Sequence, residues 1–302
     1  MNDELGKRMK EYYEQVPKTR LVRRMPVAIR IDGKAFHSFT KGFEKPFDDV
    51  LIKSMQKTTK YLCENIQGCV LGYTQSDEIT LILVDYQTLT TSAWFDYEVQ
   101  KMCSIAASMA TMAFNRIFSE NVEGFVDGYY SDFNYSTYDN TINLINYYKK
   151  ALERGAMFDA RCFNIPKEEV TNLIYWRQLD ATRNSIQMVG QANFSHKELH
   201  GKSCNMIQDM LMTQKGINWN DYPTHKKRGT CVIKDHTTCV FVNADEEGTY
   251  VSGSTQRPHW VIDTEIPIFK GKDREYIDSL IRFENCPCIA KEVSVNETSR
   301  RT

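Results

Sequence analysis

Two short stretches hold the residue types that phosphate chemistry uses: Arg30-Ile31-Asp32-Gly33-Lys34-Ala35-Phe36-His37 and Gln75-Ser76-Asp77-Glu78. Each sets an aspartate at the end of an apolar run, where a strand leaves the interior. Two carboxylates brought to one edge repel each other unless a cation lies between them. A hard cation that accepts few carboxylates and shares its remaining positions with water and phosphate oxygens is Mg²⁺. Gly33 lets backbone approach a phosphate, the amides of Lys34, Ala35, Phe36 and His37 can line an anion, and Lys34 and Lys45 supply charge. Ser76 can offer a hydroxyl to a phosphate or to the metal shell. Glu78 is grouped with Asp32 and Asp77 as a third acid, although strand alternation turns it from Asp77 toward structural pairing. The competing reading is plain, since Asp-Gly is also ordinary turn chemistry.

The elements around these residues must therefore bring Asp32 and Asp77 together. Met25 to Ile31 reads as a strand, and Lys45-Pro46-Phe47-Asp48-Asp49 reads as a helix start with Pro near the first turn, followed by Leu51, Met55, Thr58, Leu62 and Ile66 on one face. Cys69 to Tyr73 and Ile79 to Val84 read as a hairpin around Thr74-Gln75-Ser76-Asp77. Trp94 to Phe118 repeats apolar residues at helical spacing, and a further strand is expected over Arg161 to Ile165. The result is βαββαβ: an α+β, ferredoxin-like antiparallel sheet with helices on one side, resembling a polymerase-type palm. Its first and third strands are neighbours running in opposite directions, which sets Asp32 beside Asp77. That geometry fits a palm-like site for nucleotidyl transfer with two Mg²⁺ ions.

Residues 1–165 are read as this catalytic domain. Residues 166–302 are read as an added helical and mixed half that completes the site. In that half a helix opens at Pro166-Lys167-Glu168-Glu169 and runs toward Gln191, Ser195 and Glu198 have capping-box spacing, and Gly216 stops the helix over Cys204 to Gln214. Short strands including Trp260 to Ile262 and a helix over Arg274 to Phe283 follow, with a charged, frayed tail. Glu120 to Ala151, rich in Tyr and Asn, reads as a loop followed by a short helix.

Composition is that of an ordinary globular chain: 302 residues, 41% hydrophobic, 25% charged, with 38 Lys+Arg against 39 Asp+Glu. No global basic field is present, though a local patch suffices for RNA. The nine cysteines lack paired C-x-x-C spacing, which argues against a zinc site and for reduced thiols in a cytoplasmic protein. The N-terminal stretch has no signal-peptide core and no apolar run is long enough to span a bilayer, so no membrane partner is expected. His200-Gly201-Lys202-Ser203 carries only the end of a phosphate-loop motif, with His196 where glycine is required.

RIDGKAFHSF, FEKPFD, GYTQSDEITLIL, the WF…K helix, MFDARCFNIP and YWRQLDA occur in that order. Together they resemble the tRNA-histidine guanylyltransferase family of 3′-to-5′ RNA polymerases, from about Met25 to about Val232. The resemblance implies activation of an RNA 5′ phosphate by ATP as a 5′-adenylyl intermediate, then attack by the 3′-hydroxyl of an incoming nucleotide, typically GTP. It also implies that Asp32, Gly33 (through its carbonyl) and Asp77 bind Mg²⁺. Gly33 to His37 and Ser76 match the family's nucleotide-binding stretch, and Lys45 and Lys101 match its triphosphate-binding residues. Arg161 lies near the RNA end, Arg183 and Asn184 face RNA, and the partner is tRNA in a homotetramer. Members that add an untemplated G carry His-Ile-Asn-Asn-Leu-Tyr-Asn-Thr where this chain has Thr182 to Val189. The departure matches relatives that favour templated 5′-end repair, which is preferred here over strict histidine-tRNA guanylylation. A nucleotide cyclase on the same palm and a tRNA-binding module without chemistry remain as rivals.

Overall fold

The strand that delivers Asp32 is almost wholly interior. Val27, Ala28, Ile29 and Ile31 are at most 1% exposed, and the run is β-branched, which suits a central strand covered on both faces. The computed structural model describes residues 3–131, 138–244 and 250–282. In chain order its main elements are α1 (Glu4–Met9), β1 (Val27–Gly33), α2 (Phe36–Phe39), α3 (Asp49–Asn65), β2 (Cys69–Gln75), β3 (Glu78–Leu83), α4 (Val99–Ser131), α5 (Tyr138–Arg154) and β4 (Phe158–Asn164). They continue with α6 (Lys167–Asn193), α7 (His196–Leu199), α8 (Cys204–Lys215), α9 (Thr224–Arg228), β5 (Thr230–Ala244), β6 (Tyr250–Asp263) and α10 (Glu275–Asp278).

The protein is α+β, built on one sheet in the order β4-β1-β3-β2-β5-β6 with every neighbouring pair antiparallel. The β1–β3 register runs from Val27↔Leu83 to Asp32↔Glu78, so the hairpin turn at Ser76-Asp77 falls at the exit of β1. Gly33 N–H extends the ladder by donating to the Asp77 carbonyl at 3.1 Å.

Alternation along β1 divides the core. Val27, Ile29 and Ile31 pack with Leu62 of α3, Phe114 and Phe118 of α4, and Tyr148 of α5. Ala28 and Ile82 pack with Val170 and Ile174 of α6 and Ile277 of α10. Helices thus cover both faces, not one as the sequence predicts. The second layer is α6, whose buried stripe Val170, Ile174, Ala181 lies against the sheet.

Other expectations shift for identifiable reasons. The predicted loop after Glu120 is helix, since α4 continues to Ser131 and α5 begins at Tyr138. Val122 is buried, Phe125 and Val126 pack against the core, and Gly124 and Gly128 stand in open space, so helical burial overrides the loop-like composition. The helix expected from Trp94 starts only at Val99. Phe95, Asp96 and Tyr97 take φ of 48°, 52° and 57°, held where Leu21 N–H donates to the Tyr97 carbonyl and Val99 N–H to that of Thr19. The long β5–β6 hairpin also exceeds the predicted short strands, and β5 adds directly to β2. The helix expected over Arg274 to Phe283 breaks into short turns around α10, while Phe283 and the tail lie outside the described residues. The Ser195–Glu198 capping box and the left-handed Gly216 stop form as predicted.

Candidate active site

The stretch from Asp32 to Phe39 is pinned by its aromatic residues. Phe36 and Phe39 are buried, and the Phe36 ring meets those of Phe114 and Phe158 at centroid distances of 5.6 and 5.2 Å. A Cβ at Gly33 would lie 2.2 Å from the Phe36 ring, so only glycine allows the chain to fold so closely over its anchor. Ala35, in the left-handed region with φ of 54°, then starts α2. Lys34, Ala35 and His37 remain exposed along the lip.

Opposite this lip, the two-residue turn Ser76-Asp77 joins β2 to β3, with Ser76 at φ of 51°. The Ser76 hydroxyl donates to Asp77 Oδ1 at 3.0 Å, fixing that carboxylate. Asp32, Gly33, His37, Lys45, Ser76 and Asp77 border one pocket of about 520 Å³, which also takes in Ala35 and Phe36. A second pocket, of about 90 Å³, shares Asp48, Leu51, Ser76 and Met188 with the first. Asn184 and His225 line it, together with Gln75; Gln75 Nε2 and His225 Nδ1 are buried without a hydrogen-bond partner.

Electrostatics separates these acids from ordinary turn residues. Burial pushes the Asp32 carboxyl above the usual carboxylate range, the charges of Glu78 and Asp159 add to the rise, and Arg161 and Arg30 oppose it. Burial likewise raises Asp77; the Ser76 hydroxyl and Asp77's own backbone amide counteract this, while Asp32 and Glu78 raise it further. A divalent cation between them would relieve that cost. Among the described residues no three His, Cys, Asp or Glu side chains form a metal cage. Two carboxylates beside a pocket open to phosphate oxygens are nonetheless a donor set that Mg²⁺ accepts.

Glu78 has a different setting. It accepts from Arg177 Nη2 at 2.5 Å and from Arg30 Nη2 at 3.4 Å, and Arg177 also reaches Asp180 at 2.8 Å. It thus makes the structural pairing that alternation predicts, although its register position lies directly across from Asp32.

Two expectations, Lys101 and the Lys34 amide, fall elsewhere than the sequence places them. Lys101 does not reach the pocket. Cys103 meets Cys162, level with Ile29, whereas Thr111 accepts from the Phe158 amide, level with Gly33. Ten residues of helix separate Lys101 from Thr111, about 15 Å, and its ammonium lies over the Phe95 ring at 4.8 Å. The Lys34 amide is not available to an anion either, because it donates to the Met157 carbonyl at 2.8 Å. Arg161 lies at the site's edge, 3.2 Å from Asp159 and 4.0 Å from Asp32. Arg183 pairs with Asp180 on the exposed side of α6, and Asn184 reaches the same carboxylate at 3.4 Å.

Sequence reasoning missed the group that shapes the pocket floor. Asp48, 5% exposed, caps α3 through the Leu51 amide, accepts from the Glu44 amide at 3.1 Å and takes the Tyr148 hydroxyl at 2.7 Å. The helix-start pattern marked Asp48, but nothing local links it to a tyrosine a hundred positions on.

Comparison with known proteins defines the class. The fold resembles a bacterial tRNA(His) guanylyltransferase-like protein solved in complex with ATP, at 40% identity and a TM-score of 0.71, covering 93% of this chain and all of that one. A bacterial protein of the same description in complex with GTP matches at 37% identity and a TM-score of 0.66, covering 92% and 99%. In sequence, an uncharacterized protein of Acanthamoeba polyphaga mimivirus is 28% identical over 244 residues, 78% of each chain. The tRNA(His) guanylyltransferase of Saccharomyces cerevisiae is 25% identical over 222 residues, 69% of this chain and 82% of that one. The protein is a nucleotidyltransferase. More narrowly, the chain belongs to the Thg1 family, described as tRNAHis guanylyltransferase, whose profile matches residues 6–166.

Proposed function

We propose that this protein extends tRNA at its 5′ end in the 3′-to-5′ direction, using template pairing to restore missing nucleotides. The carrying observation is that Asp32 and Asp77 border the same pocket as Gly33, Ala35, Phe36, His37 and Lys45. The RNA 5′-phosphate oxygen attacks the α-phosphorus of ATP, releasing pyrophosphate and leaving a 5′-adenylylated end. The 3′-hydroxyl of the incoming GTP or other nucleotide then attacks the RNA phosphate, and AMP departs.

The chain's own groups provide position and charge. Asp32, Asp77 and the Gly33 carbonyl would hold Mg²⁺, with Ser76 fixing the Asp77 carboxylate. The chemistry two such ions would supply there is charge neutralisation at the phosphate oxygens and a lowered pKa for the attacking hydroxyl. Lys45 faces the triphosphate. The smaller pocket extends the larger one with two unpartnered polar groups, the Gln75 amide and the His225 imidazole, whose pKa burial lowers.

The templated reading is supported by the Thr182–Val189 segment and by a greater likeness to the bacterial proteins than to the S. cerevisiae structure, which is 22% identical with a TM-score of 0.55 and shares the fold. Cytoplasmic location and homotetrameric assembly belong to the same proposal. Among the described residues no helix is long and apolar enough to cross a membrane. The test incubates the protein with Mg²⁺, ATP, GTP and 5′-radiolabelled tRNAs, intact or lacking the first nucleotide. Extension that stops when the acceptor stem is paired supports repair. One G added whatever base lies opposite supports guanylylation of histidine tRNA, and release of 3′,5′-cyclic nucleotide without RNA overturns both.

A further inference from the structure

A tryptophan half in solvent is costly to leave uncovered, and α6 carries one beside the carboxylates. Trp176 is 51% exposed, whereas Trp94 and Trp219 are buried at 7% and 6%. Two guanidinium groups lie against its ring, Arg30 at 5.3 Å and Arg177 at 4.5 Å from the centroid. Both arginines are tied to Glu78, so the ring rests against a fixed support. Arg30 precedes Asp32 by two residues on the same face of β1, and Arg161 lies across from it in the β1–β4 register. One helical turn on from Trp176, Leu179 is 50% exposed, and a second turn brings Arg183 into line, with 61% of its side chain exposed.

We infer that Trp176, backed by Arg30 and Arg177, is a stacking platform for the base left unpaired at the end of the acceptor stem when the first nucleotide is missing, with Arg161 and Arg183 tracking the adjoining phosphates. This deepens the proposed function and rests on its reading of RNA as the substrate. The two nucleotide pockets take in α6 only from Ala181 onward, so the RNA end has a separate approach over the Trp176 part of that helix, which offers an aromatic face bordered by cations. Stacking on an aromatic ring recognises an unpaired base without reading its identity, which suits repair at varied 5′ nucleotides. Glu78 is then a positioning residue, holding the two arginines that support the ring.

The test titrates the full-length protein with a 5′-phosphorylated tRNA lacking its first nucleotide, reading tryptophan emission and RNA affinity, and measures GTP affinity separately. Wild-type emission is quenched on RNA binding. Trp176→Phe keeps RNA affinity within a few-fold but loses most of the quench. Trp176→Ala weakens RNA binding about tenfold or more, with GTP affinity unchanged. The platform is overturned by RNA affinity in Trp176→Ala equal to wild type, by a parallel loss of GTP binding, or by a quench that persists in Trp176→Phe. Wild-type protein that binds RNA with quenching yet adds no nucleotide would overturn the proposed reaction and leave the platform standing.

Discussion

Aspartates at the two ends of the β1–β3 ladder have opposite surroundings. At the Val27 end, Asp85 is fully buried and fully matched: Arg23 Nε donates to it at 2.9 Å and the Arg24 amide at 2.9 Å. At the other end, Asp32 and Asp77 have one arginine at 4.0 Å, one serine hydroxyl and Asp77's own amide between them, and burial raises both carboxyls. The same side chain is structural where the chain supplies its counter-charge. Where the chain withholds it, the charge is left for a ligand to complete.

Exchanging charge for amide at each end separates these roles. Asp32→Asn or Asp77→Asn is expected to lower nucleotide addition at least about a hundredfold while leaving the circular dichroism spectrum intact. Addition at wild-type rate in either variant would break the contrast. Asp85→Asn should do the reverse. It removes the charge that Arg23 and the Arg24 amide share, and the thermal midpoint should fall by roughly 5 °C, with residual activity tracking the folded fraction.

A smaller effect concerns pH in the metal-free protein. With the folded carboxyl of Asp77 raised, the unfolded chain binds fewer protons than the folded one above the ordinary carboxylate range. The contribution is therefore present at low pH and lost as pH rises through the raised value. Metal-free Asp77→Asn should match or exceed wild-type thermal stability at neutral pH by a few degrees, and the advantage should vanish near pH ~4. An Asn variant less stable than wild type at neutral pH would place Asp77 with Asp85 among the structural acids.

The convergence of Asp32 and Asp77 was legible because it follows from strand order alone: once β1 and β3 are antiparallel neighbours, the exit of one meets the start of the other. Caps were legible for a similar reason, as Ser195–Glu198 depends on residues three apart. The misses all depend on distant partners. Lys101 was placed by motif, and only the pairing of Cys103 with Cys162 reveals how far along α4 it lies. The Lys34 amide is claimed by Met157, and Asp48 is engaged by Tyr148, contacts between segments a hundred or more residues apart that no local pattern encodes. The course of α4 beyond Glu120 was hidden because tyrosine and asparagine content mimics a loop, while the burial of Val122 decides for helix.

Divalent-ion binding itself tests the account most directly. Mn²⁺ titrated into protein with GTP, followed by electron paramagnetic resonance, should show saturable, nucleotide-dependent binding in wild type that is lost in both Asp32→Asn and Asp77→Asn. Undiminished Mn²⁺ binding in the two variants, with GTP still bound, would contradict a shared cation at this sheet edge.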